Sequence, residues 1–135
     1  MNFLNVFNHI VEHGGATYNM TTGELNPDSG YMVAQREFEQ VFDFYRNSNV
    51  FSEQIKSYLT KKVVDQLICR SDIYLGFWLK DDKIYFDVVR RMTDRNEAIL
   101  EGRRNKQIAI YDANEKKDIE VHLGRSVSND SDLDF

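Results

Sequence analysis

The chain has 135 residues, 41% hydrophobic and 13% aromatic, with a net charge of −5 and a pI near 5.2. That length suits one domain with a real core, and the apolar share excludes a disordered chain. The acidic balance speaks against general binding to nucleic acid or anionic membranes, and a single cysteine excludes an internal disulfide or a Cys-based zinc site.

No apolar run approaches the ~20 residues of a membrane span, and Met1 to Glu12 lacks a basic leader. A cytoplasmic protein with no membrane contact is therefore expected. Nine Phe, seven Tyr and one Trp predict a thick aromatic core, with some rings turned toward a partner.

Phe3, Val6, Phe7, Ile10 and Val11 recur at helical spacing, and Gly14-Gly15 ends this N-terminal helix. Ala16 to Met20 predicts a strand. Turn formers at Thr22-Gly23 and from Asn26 to Gly30 lead into a second strand, Tyr31 to Gln35. The spacing of Phe38, Val41, Phe42 and Tyr45 predicts helix, which Asn47-Ser48-Asn49 interrupts. Ser52 then caps a stretch whose Ile55, Leu59, Val63 and Leu67 face inward; two helices or one kinked helix fit equally.

The clearest strand signal runs from Ile73 to Val89. Ile73, Leu75, Phe77 and Leu79 alternate, Lys80 to Lys83 turns, and Ile84, Phe86 and Val88 continue. Tyr74, Trp78 and Tyr85 fall on the opposite face. Asp94 to Glu97 has the form of a capping box opening a short helix to about Arg104. Ile108 to Tyr111 and Ile119 to Leu123 predict a last hairpin around Asn114, and a mobile acidic tail follows. The expected architecture is one α+β domain over residues 1–123, with a tail over 124–135. Its mostly antiparallel sheet has about six strands in hairpins, with helices on one face.

Few chemistries survive inspection. His9-Ile10-Val11-Glu12-His13 matches a zinc-peptidase pattern, but it sits on a short N-terminal helix beside a core stripe, with no third ligand in view. A metal-dependent hydrolase on His9, Glu12 and His13 is the least favoured reading. Cys69 ends an apolar stretch, and His122 has no placeable nucleophile beside it. Asp87 and Asp112 could in principle share Mg²⁺ for phosphoryl transfer, yet no third carboxylate or Lys stands at a recognisable spacing. No enzyme activity, cofactor or metal is expected.

Charge is more informative. Between Arg90 and Lys106, the six cations Arg90, Arg91, Arg95, Arg103, Arg104 and Lys106 oppose only Asp94, Glu97 and Glu101. These cations either form a solvated helix face or a docking patch for an acidic protein or a phosphate backbone. With Tyr74 and Tyr85 as aromatic anchors, they are the candidate partner-binding residues.

Two groups of segments carry a resemblance. Gly14 to Asn19, Thr22-Gly23-Glu24 and Pro27 to Ala34 form the first. Gly76-Phe77-Trp78, Tyr85 to Val88, Asp94 to Ala98 and Gln107 to Asp112 form the second. Together they resemble small uncharacterised accessory proteins of bacterial phages, plasmids and conjugative elements, from residue 14 to about 121. The stretch from Phe38 to Ile68 is longer than that pattern leads one to expect. The resemblance carries no catalytic residues. It implies an anti-defence role of the anti-CRISPR kind, in which the protein inhibits a host defence nuclease by docking on it. A nucleic-acid-binding regulator using the same arginines is the alternative.

Overall fold

The computed structural model describes residues 3–61 and 70–121. Val63, Leu67, Cys69, His122 and the expected tail lie outside the described residues. The elements run α1 (Leu4–His13), β1 (Gly15–Tyr18), β2 (Tyr31–Asp43), α2 (Ser48–Leu59), β3 (Ile73–Lys80), β4 (Lys83–Met92), α3 (Arg95–Arg104), β5 (Ala109–Asp112) and β6 (Lys117–Glu120). The six strands form one sheet in the order β1-β3-β4-β2-β5-β6, and every pairing is antiparallel. The fold is α+β, as the alternation of hairpins and helices indicates.

All the described helices lie on one face. Val6, Phe7 and Ile10 of α1 and Phe51, Ile55 and Tyr58 of α2 pack on Leu75, Phe77, Ile84, Phe86 and Val88. Ala98 of α3 packs on Val33, Ile110 and Val121. Val33 pairs with Arg90, and Arg90 with Ile73, so both clusters occupy the same side of the sheet. Local signals set the helix ends. Gly14 takes a left-handed φ of 88° and closes α1, and Asp94 accepts from the Glu97 N–H at the start of α3. No described helix is long and apolar enough to cross a membrane.

One element differs from the sequence expectation. Residues 38–43 are not helix but the second half of β2, which runs thirteen residues. A spacing of four is shared by both periods, so Phe38 and Phe42 also fit a strand that turns every second residue inward. Val41 and Tyr45, which the helical reading would bury, are exposed. Accordingly α2 begins earlier than a Ser52 cap implies, with the Asn47 side chain accepting from the Asn49 and Val50 N–H groups.

Candidate binding face

Between the core positions of β3 and β4, alternation turns Tyr74, Gly76 and Trp78, with Tyr85, Asp87 and Val89, away from the helices. Register sets Trp78 opposite Tyr85 and Gly76 opposite Asp87, while β2 adds Val41 beside Tyr85. At one end this face is closed. Tyr74 packs with Met32 and Val89, and its hydroxyl donates to the Glu24 carboxylate at 2.5 Å. Burial, then that carboxylate, raises the phenol's pKa. The loop bearing Glu24 is pinned by buried Asn19, which donates to the Ser71 carbonyl and accepts from the Thr21 and Thr22 N–H groups.

Toward the β3–β4 turn the face is open. Trp78 is 40% exposed and Val41 44%. The indole stacks on the Tyr85 ring, with centroids 4.5 Å apart and planes 20° apart. Large rings left in water on a sheet face, fixed by each other, are the kind of surface that partners cover.

Asp87 lies between the closed and open halves, at a defect in the sheet. Gln35 pairs with Val88 and Gln40 with Phe86, so Arg36 to Glu39 of β2 stand against Asp87 alone. This bulge is anchored from the helix side, where the Phe38 carbonyl accepts from the Tyr58 hydroxyl at 2.5 Å. Burial pushes the Tyr58 phenol far up, with Asp87 and Glu39 adding to it. Asp87 is only 8% exposed, and the Trp78 indole N–H donates to it at a long 3.4 Å. Burial, reinforced by the neighbouring Glu39 charge, raises its pKa to about 6, against a smaller lowering from the indole. A carboxyl held this way is unfavourable for folding, which marks it as a candidate functional group.

The basic window is scattered rather than gathered. Arg90 points to the helix side, with Nε 3.5 Å from Asp72, which Arg70 also holds. Arg91 donates to the Ser29 carbonyl and hydroxyl. Arg103 donates to the Val121 carbonyl, and Arg104 pairs with Glu101 within α3. Lys106 is exposed in the turn after α3, where its carbonyl accepts from Arg36. Only Arg91 and Arg95 come together, along an open groove of about 610 Å³ that also contains Asp112 and Glu115. Of the two tyrosines, Tyr85 lies on the open face and Tyr74 is buried, so Tyr74 supports the loop and presents no anchor.

The residues of the two chemical candidates have structural partners within the fold. His9 Nδ1 is 3.0 Å from the Gly15 carbonyl, so it carries the proton, and Nε2 accepts from the Asn26 amide at 2.9 Å. Both ring nitrogens are thus bonded. His13 stacks on His9 and meets Glu12, and no three His, Cys, Asp or Glu side chains among the described residues gather as a metal site. His9 is a latch between α1 and the loop after β1, since Asn26 also accepts from the Thr17 N–H. His9→Ala is expected to cost about 1–2 kcal/mol of stability in urea unfolding, by leaving the Gly15 carbonyl and the Asn26 amide unpaired. Asp112 and Asp87 do not meet. Asp112 pairs with Tyr31 on the helix side, and its carboxylate accepts from the Asn114 and Glu115 N–H groups to shape the β5–β6 turn.

Comparison of the chain with protein-family models, with curated proteins and with solved structures gives no match.

Proposed function

We propose that this domain is a non-enzymatic binding protein that docks on a partner protein through the face of its sheet that no described helix covers. The observation that supports this reading is the exposed Trp78–Tyr85 stack, flanked by Val41, on a face that no described helix covers. Tryptophan and tyrosine dominate the energetics of protein interfaces, because each removes a large rigid surface from water at little entropic cost. The reading moves the expected contact surface from the arginine window to the β3–β4 hairpin. A host defence nuclease, encountered in the cytoplasm, is the partner class that the sequence resemblance supplies.

Partner capture by wild-type and Trp78→Ala protein, at matched thermal stability, tests the reading. The substitution is expected to weaken capture at least tenfold, corresponding to about 1.4 kcal/mol or more. Equal capture by both proteins would remove the sheet face from the interface. Inhibition of purified defence nucleases, with Trp78→Ala as control, tests the partner class.

A further inference from the structure

We infer that the open face receives an arginine side chain from a basic segment of the partner, with its guanidinium laid on the Trp78–Tyr85 stack and turned to Asp87 and Glu39. The inference rests on the docking role proposed above and names the chemistry of its partner.

Two carboxylates near this hairpin are matched by cations of the chain. Asp43 is held by Lys83 at 2.5 Å, and Asp72 by Arg70 and Arg90. Asp87 and Glu39, beside the Trp78–Tyr85 stack, are not. Neither belongs to an ion pair among the described residues, and the Glu39 charge raises the cost of ionising Asp87. What the pair lacks is a cation. Lys80 shares the face of Trp78 at the hairpin end and pairs with neither carboxylate.

Geometry selects the kind of cation. Asp87 Oδ2 lies 3.4 Å from the indole nitrogen, so a carboxylate borders the ring. A cation on the ring face gains from the π system and from that charge together. Guanidinium is planar, stacks on aromatic faces and presents a fork of donors to carboxylates; an ammonium is a strongly hydrated point charge. The same carboxylates oppose a phosphate backbone, which separates this face from a nucleic-acid stacking platform despite its exposed rings.

The chain has one tryptophan, so its fluorescence and its single indole N–H resonance report on this face alone. The probe is an acetylated, amidated Gly-Arg-Gly-Arg-Gly peptide titrated into the full chain at pH 7.5. Counterparts carry citrulline, lysine or glutamate in place of arginine, and a dT tract serves as the nucleic-acid probe. The arginine peptide is expected to shift the indole resonance with saturation, at least fivefold more tightly than the citrulline and glutamate peptides and more tightly than lysine. Asp87→Asn and Glu39→Gln, both retaining the wild-type fold by circular dichroism, are each expected to weaken it at least threefold. Equal binding of arginine and citrulline peptides, or no saturable shift with arginine, overturns the inference. So does tighter binding of the dT tract. The docking role fails separately, if partner capture ignores Trp78→Ala. Capture that depends on Trp78 but is unchanged by Asp87→Asn leaves the docking role standing and removes the arginine.

Discussion

Phe86→Ala is expected to cost about 3–5 kcal/mol, the largest effect of any single change considered for this domain. Phe86 is fully buried on the helix side of β4, with ring centroids 4.8 Å from Phe42, 4.9 Å from Phe77, 5.4 Å from Tyr58 and 6.0 Å from Phe51. Deleting the ring removes the centre of four edge-on or tilted contacts, and neighbours on three different elements would have to move together to fill the space. Since a small domain has about 5–15 kcal/mol in total, the variant should sit near its unfolding threshold at 37 °C. Urea unfolding should show a lower midpoint at an unchanged slope, with Phe86→Leu falling between the two proteins. A cost below about 1 kcal/mol would mean that the aromatic cluster is not the centre of the core. The binding face depends on this packing too, because Phe86 stands between Tyr85 and Asp87 in sequence and fixes where β4 presents them.

Much of that arrangement is legible in the sequence, for identifiable reasons. The β3–β4 hairpin shows strict alternation around Asp81-Asp82, and a two-residue turn fixes its register. Trp78 opposite Tyr85 and Gly76 opposite Asp87 follow from that register alone. The helix caps at Asp94 and Gly14 are likewise local chemistry. The second half of β2 was hidden because the bulge at Arg36 to Glu39 breaks the period-two pattern, leaving residues spaced by three and four. A helical assignment of this stretch also places Glu39 away from Asp87. The directions of the arginines in the basic window are not legible, for a different reason. Density of charge along the chain does not give its direction, and strand alternation sends Arg90 and Arg91 to opposite faces. Tyr74 and Tyr85 look alike in sequence; Glu24, fifty residues away, decides that only one is covered.

Asp87→Asn is expected to stabilise the protein at neutral pH, by an amount that grows with pH. The unfolded carboxyl ionises near 3.8 and the folded one at about 6. Below pH ~4 both states hold the proton, and replacing the neutral acid by a similar amide should change little. Between pH ~4 and ~6 the unfolded chain releases its proton while the folded one retains it, so wild-type stability falls as pH rises. Above about 6 both are ionised and the deficit is constant. A shift of this size corresponds to roughly 3 kcal/mol, and an amide oxygen, which accepts from the indole more weakly than a carboxylate, reduces the gain from Asn to about 1–3 kcal/mol. Besides burial, Glu39 and the Trp78 indole are the groups that act on this carboxyl, and neither supplies a positive charge. Asp43 and Asp72 act in the opposite sense, since Lys83 and Arg70 hold their carboxyls below the usual range. The informative quantity is therefore the difference between wild type and Asp87→Asn in urea unfolding at pH 4, 5, 6 and 7.5. A difference that stays flat across this range would show that Asp87 is not a strained carboxyl. A rising one means that the fold tolerates an unmatched charge beside its exposed tryptophan, at a cost that a cationic partner would offset on binding.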